Sequence, residues 1–288
     1  MTDTVSLAPL RSAGPPARGS TGPWQRIFSG FGLAVLVLLA LVTVAPIAYM
    51  LTTSLHSTDT AGSSWTLEQW GVLFQQPELL RAIGNSAMLC VLAIIVQSVV
   101  GALAGFAFGI LRFPGSQVVL SLLIVMMLIP LQTYIIPEFV NVGRLGLVGN
   151  VPMTALIYAG TQMPFAVFIL TNFFRSLPDE LLESAVIDGA SYPRAFISVL
   201  LPLARPALIT LGVLTFIGVW NDLLVALLFL PDGDTHTVGV LLATVNSTRT
   251  FDINQVMATS LASAIPCFAV FLTFQRYLVT GLTAGIGK

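Results

Sequence analysis

Residues 176–206 read SLPDELLESAVIDGASYPRAFISVLLPLARP, a charged segment set between two long apolar runs. Pro178 suits the first turn of a helix, and Asp179 and Glu180 suit the positive end of its dipole. Leu181, Leu182, Ala185 and Val186 follow at helical spacing and predict one apolar face. Gly189 is placed to end that helix in a left-handed conformation. Pro193 can start a second helix, whose apolar face would be Phe196, Ile197, Leu200 and Leu201. The segment therefore predicts a short helix–turn–helix. A helix resting on anionic lipid would carry Lys and Arg on its polar face. This one is acidic before Gly189, so a protein partner suits it better than a lipid surface.

Outward from this segment, charges divide the chain into apolar runs. No Lys, Arg, Asp or Glu lies between Arg26 and Asp59, and Phe31 to Leu51 is the apolar part of that run. Further charge-free stretches run from Arg81 to Arg112, Arg112 to Glu138, Arg144 to Arg175 and Asp252 to Arg276. Another, from Pro206 to Leu230, is broken only by Asp222. Each is long enough for a helix to cross a bilayer core, which takes about 20 residues. Helices are expected because they satisfy their own backbone hydrogen bonds in lipid, and continuous runs do not read as barrel strands. Composition agrees: the 288 residues are 56% hydrophobic and 9% charged, against about 25% charged in a soluble domain. The expected fold is an all-α polytopic membrane protein with six transmembrane helices.

Basic residues set the orientation. With an inside N-terminus, Arg11, Arg18, Arg26, Arg112, Arg175, Arg194, Arg205, Arg276 and Lys288 lie in the cytoplasm, and Arg81, Arg144 and Arg249 lie outside. Nine against three favours both termini in the cytoplasm and an inner-membrane location. The first apolar run exceeds a signal-peptide core of about 7–15 residues, so it reads as a retained span. Residues 1–28 are expected to be a disordered cytoplasmic tail, and residues 29–288 the membrane domain, with the cytoplasmic segment at about 176–205. Trp65, Trp70 and Phe74 sit in a long outer loop, as interfacial anchors or as a lip that touches a partner. The loop from Pro231 to Asn254 is read as long and polar.

The segment at 176–206 resembles the EAA loop of ABC importer membrane subunits. That motif is Glu-Ala-Ala, three variable residues, Gly, and a later Leu-Pro. Here it stands as Glu183-Ser184-Ala185, then Asp188-Gly189-Ala190, then Leu201-Pro202. Ser184 replaces the first Ala, and Val199 stands where Ile is common. The stretches Met127 to Pro130 with Pro137, Leu145 to Leu147, Trp220-Asn221-Asp222, and Phe274 to Tyr277 followed by Gly281 to Gly285 resemble the sugar-importing branch. The likeness covers roughly residues 30–288 and is nearest to the maltose-type smaller permease subunit.

The resemblance implies the type I ABC importer permease fold, with Glu183, Ser184, Ala185, Asp188, Gly189, Ala190, Leu201 and Pro202 in a coupling helix and its return. It implies partners: a second permease subunit, two ATPase subunits that hold ATP and Mg, and an extracytoplasmic solute-binding protein. The solute would be a mono- or oligosaccharide, or a non-sugar compound such as glycerol phosphate. No cofactor or metal is expected on this chain. It contains no Gly-x-x-x-x-Gly-Lys-Ser/Thr motif, and the end, Gly285 to Lys288, reads as a tail.

Asp222 with Asn221 reads either as a solute-pathway pair or as a structural hydrogen bond between helices. Asn85, Gln97, Gln132, Gln162 and Asn172 are weaker candidates. Pro46, Pro130, Pro137, Pro164 and Pro266 are expected to bend their helices. Cys90 and Cys267 read as packing residues. A membrane enzyme would need convergent catalytic groups, and His56 and His236 both fall in outer loops. A secondary transporter would show several intramembrane charges. A net charge of −1 gives no basis for nucleic-acid binding.

Overall fold

The computed structural model describes residues 23–56, 64–111, 113–247 and 253–283, with side chains in 31–56, 64–111, 113–244 and 253–277. Of the tail expected at residues 1–28, residues 1–22 lie outside the described residues, whereas 23–28 are helical at the start of α1. The terminal residues 284–288, Arg112 and Arg249 also lie outside the described residues. The chain divides into two compact units, residues 1–49 and 50–288. The first contains most of helix α1 (Pro23–Ser54), with Pro46 inside it.

The second unit is built on α3 (Pro77–Phe106), which continues through a π turn (Ala107–Leu111), and on α6 (Val151–Ser176). Gly101, Gly105 and Gly109 recur every four residues and form a bare stripe along α3. A Cβ at Gly105 would lie 2.7 Å from the Leu170 Cβ and 2.9 Å from the Leu170 carbonyl carbon. At Gly101 it would lie 3.2 Å from Ala166 Cβ, and at Gly109 3.0 Å from Phe174 Cβ. Small residues let helix backbones approach in lipid, where dispersion replaces the hydrophobic drive. Gln97 locks the same seam: its Nε2 donates to the Gln162 carbonyl at 2.9 Å, and its Oε1 accepts from the Thr215 hydroxyl.

The third span departs from a straight crossing. It comprises α4 (Ser116–Met126) and α5 (Leu131–Arg144), bent by 96°. Met127, Leu128 and Ile129 close α4 with i→i−3 bonds to Ile124, Val125 and Met126 at 3.0–3.1 Å. Pro130 then stands extended at the N-cap of α5 (ψ 141°). Proline has no N–H and disfavours the helical region for the residue before it, so the break falls here. The charge-free run predicts a span that stops at Glu138. The helix instead runs on to Arg144, so Glu138 lies within the bent span and not at its border. Pro137, Pro164 and Pro266 sit inside continuous helices.

After α6 come α7 (Glu180–Ile187), α8 (Tyr192–Ala195), a second π turn (Phe196–Leu200), the short α9 (Leu201–Leu203) and α10 (Arg205–Trp220). The Tyr192–Leu203 stretch meets α10 at 68°. The fifth apolar run is not one helix either: α10 stops at Trp220, and α11 (Leu224–Phe229) resumes after a break. The segment read as a polar loop carries α12 (Val238–Ser247), and α13 (Ile253–Thr283) follows. Among the described residues, four helices are long and apolar enough to cross a membrane unaided. Six crossings result if each bent pair counts as one.

The loop before α12 is tied down. Asp234 pairs with Arg81, while Asn85 Nδ2 donates to the carbonyls of Asp234 and His236 at 2.8 and 3.0 Å. Ser86 Oγ accepts from the Val238 N–H at 2.9 Å. Helix α2 (Glu68–Gln75) carries Trp70, whose Nε1 donates to Ser54 Oγ at 3.3 Å, while Trp65 is exposed.

Candidate functional site

The predicted helix–turn–helix is present, and its turn is built as expected. Asp179 stands at the N-cap position of α7 without a side-chain capping bond, and Glu180 and Glu183 lie in the first turn. At the other end Gly189 has φ +85°. The Gly189 N–H donates to the Val186 carbonyl at 3.0 Å and the Ala190 N–H to the Ala185 carbonyl at 2.9 Å. These two bonds form a Schellman motif, which satisfies carbonyls that a helix end leaves open. A Cβ at Gly189 would meet nothing within 4 Å, so glycine is needed there for its dihedral and not for space.

The two halves of this arm differ in burial. Helix α7 has no buried residue: Leu181, Leu182 and Ala185 are half-buried, and Val186 is exposed, unlike its expected place on the apolar face. Ile187 is 83% exposed, and Glu183, Asp188 and Tyr192 are exposed as well. The return half is anchored. Ala195, Phe196 and Leu200 are buried, and the Phe196 ring lies 4.9 Å from that of Phe106 and 6.2 Å from that of Phe174. Ile197 was expected on this face but is exposed, because the wide π turn carries it off the buried stripe. Leu201 and Pro202 are half-buried just before the 68° bend, and Ser184 and Ala190 flank the turn on α7 and beyond it.

Asn221 and Asp222 fall in the break between α10 and α11. Asp222 Oδ1 accepts from the Tyr158 hydroxyl at 2.7 Å and from the Val225 N–H at 2.9 Å, which caps the start of α11. Asn221 Nδ2 donates back to the Ile217 carbonyl at 2.8 Å. Residues flagged as weaker candidates scatter. Gln97 is buried in the seam, Asn85 holds the loop before α12, and Gln132 and Asn172 are exposed.

A groove of about 520 Å³ that the sequence reading did not anticipate lies between α5 and the middle of α6. Tyr134, Glu138 and Asn141 line it from one face of α5, at i, i+4 and i+7, with Gly160, Thr161 and Pro164 opposite. That spacing is present in the sequence, where the charge-free count puts Glu138 at the border of a span. Among the described residues no group of three or more His, Cys, Asp or Glu is placed to hold a metal. His56 Nδ1 donates to the Thr52 carbonyl at 2.6 Å and His236 Nε2 to the Pro231 carbonyl at 3.1 Å, well apart from the groove residues in sequence and bonding.

A helical membrane unit that carries an exposed helical arm has the architecture of a transporter membrane subunit. Residues 97–283 match the family described as the inner membrane component of binding-protein-dependent transport systems, and the chain belongs to that family. The trehalose transport system permease protein of Mycobacterium tuberculosis is 31% identical over 84% of this chain and 92% of its own length. The osmoprotective compounds uptake permease protein of Synechocystis is 33% identical, over 77% of this chain and 75% of its own. The diacetylchitobiose uptake system permease protein of Streptomyces coelicolor is 28% identical over 91% and 89%. The fold is shared with a chain of a bacterial ABC transporter involved in the import of the acidic polysaccharide alginate. That match has a TM-score of 0.80 at 22% identity, covering 89% of this chain and 98% of the other.

Proposed function

We propose that this chain forms half of the pore of an ATP-driven importer of mono- or oligosaccharides. A second, different permease subunit would complete the pore. Two ATPase subunits would bind ATP and Mg in the cytoplasm, and an extracytoplasmic binding protein would deliver the solute. The termini and the 176–205 arm lie on the cytoplasmic side in this reading, with residues 29–288 as the permease domain. Relatives named for diacetylchitobiose and trehalose support sugar as the solute class. The relative named for osmoprotective compounds favours a second reading, a small non-sugar solute.

The observation that carries the proposal is the arm at Glu180–Leu203. Its return half is anchored by Phe196, which packs against the Phe106 and Phe174 rings, while its leading helix has no fully buried residue and ends in an exposed Ile187. A helix fixed at one end and bare at the other is suited to pass force from an ATPase to the membrane domain. Glu183, Ser184, Ala185, Asp188, Gly189 and Ala190 would form the docking side, and Leu201-Pro202 the return to the pore. For Asp222 the bonds to Tyr158 and Val225 support the structural of its two readings, while exposed Asn221 remains a pathway candidate.

The test uses the whole complex, co-expressed with its neighbours. Glu183→Lys reverses a charge at the docking side without touching the buried face. Membrane levels of the chain should be unchanged by immunoblot, while ATPase co-purification or labelled-sugar uptake falls at least severalfold. Full retention and full uptake would remove the arm as the coupling element. Uptake by the parent complex should stop when ATP is depleted with the proton gradient kept. Continued uptake would point to a secondary transporter. A panel of labelled disaccharides beside labelled glycerol phosphate decides between the two solute classes.

A further inference from the structure

Resting on the transport reading above, we propose that the groove between α5 and α6 is a contact site for the passing solute. That solute is a polyhydroxyl compound of sugar type, with Glu138 and Asn141 as its hydrogen-bonding groups and Tyr134 as an apolar face.

Depth is the first argument. Helix α6 has 26 residues and is about 39 Å long, and Thr161 lies ten residues from its start, about 15 Å in. The groove opposite Thr161 is therefore at mid-membrane depth, and Glu138 with it. A carboxylate at such depth costs roughly 2.5–3.5 kcal/mol on insertion scales unless it faces protein or water. Among the described residues the side chains of Tyr134, Glu138 and Asn141 make no hydrogen bond, so their bonding capacity is open. Asp222 is the contrast: its carboxylate already serves Tyr158 and the start of α11.

Backbone is the second argument. Met127–Pro130 leave the helix beside the groove, whose lining includes Met126 and Ile129. Non-helical backbone at membrane depth persists only when buried in protein or lining a water-filled cavity. A volume of about 520 Å³ lies within the 300–1,000 Å³ range typical of small-molecule sites. The chemistry suits hydroxyls: a carboxylate accepts from them, an amide both donates and accepts, and a phenol ring offers an apolar surface. Gly160 adds room, since a Cβ there would meet nothing within 4 Å.

The experiment uses the complete complex in a Cys90→Ala/Cys267→Ala background. Asn141→Cys and Gly160→Cys are each exposed to a charged, water-soluble methanethiosulfonate, with Val118→Cys, exposed on the apolar α4, as the lipid-side control. Labelled maltose, trehalose and diacetylchitobiose are the transport probes. Both groove positions should react at least tenfold faster than position 118. Glu138→Gln should lower uptake at least tenfold with unchanged ATPase co-purification, and Gly160→Leu should block uptake by filling the groove. Unreactive groove cysteines would mean that a partner subunit or lipid fills the space, which overturns the site and leaves the transport reading standing. Undiminished uptake by Glu138→Gln would also overturn it. Reactive groove cysteines in a parent complex that transports none of the three sugars would overturn the sugar class in both proposals.

Discussion

In the seam between α3 and α6, Gly105 faces the Leu170 Cβ and backbone so closely that any side chain would collide. In the arm, Gly189 faces open space and is held at φ +85°. The first glycine is required by distance and the second by dihedral. One lets two membrane helices touch along their backbones. The other lets a helix stop and reverse at the surface. A defect in the seam should therefore appear as missing protein, and a defect in the arm as protein that is present but does not transmit.

The strongest way to break the contrast is to remove the residue that joins the two regions. Phe196→Ala removes one ring of the Phe106–Phe174–Phe196 cluster, and such truncations cost about 3–5 kcal/mol in cores. The purified complex should lose thermal stability, and sugar uptake should fall to background. Next is Gly105→Val, which forces the seam apart. Overpacking of this kind costs roughly 1–3 kcal/mol or more, and membrane levels by immunoblot should drop about tenfold.

Gly189→Val tests the other side of the contrast. A β-branched residue in the left-handed region costs about 1–2 kcal/mol, borne by an exposed turn. Membrane levels should stay within about twofold of the parent, while uptake per molecule falls severalfold. Loss of protein in place of uptake would erase the distinction. The smallest effect belongs to Thr171→Val. The Thr171 hydroxyl is fully buried in the seam and has no hydrogen-bond partner. Replacing it with a methyl group removes an unsatisfied polar atom, and the detergent-solubilised complex should melt no lower, with a gain of up to about 1 kcal/mol.

Spans and arm were legible in the sequence because each follows from one physical requirement. A bilayer demands long charge-free runs, and a helix that ends on Gly189 two turns after an acidic start has few alternatives. The bends were not legible, since counting charge-free residues gives a length and no direction. Pro130 was flagged as a bend, yet its 96° size depends on Met127–Ile129 closing α4 before it. The same counting placed Glu138 at a border, although the i, i+4, i+7 row from Tyr134 to Asn141 continues past it. Asp222 was read as lying within a helix, and the helix stops just before it, at Trp220. The stripe Gly101, Gly105, Gly109 was readable as small residues at four-residue spacing. Apolar length alone also accounts for that span, so a count of charge-free residues does not bring the stripe out.

The π turn at Phe196–Leu200 has a further consequence, in the rotational phase of the arm. A π turn takes up one residue more than an α turn in a wider ring, so the surplus residue is absorbed locally. Deleting a single residue there would restore ordinary α geometry and leave the rotation and height of α7 and α8 nearly unchanged, whereas a deletion in a continuous α-helix would turn everything before it by about 100°. Ile187 and Tyr192 would keep their direction in the first case and lose it in the second. The wide turn thus acts as slack in the arm: it can gain or lose a residue there without the arm being re-aimed.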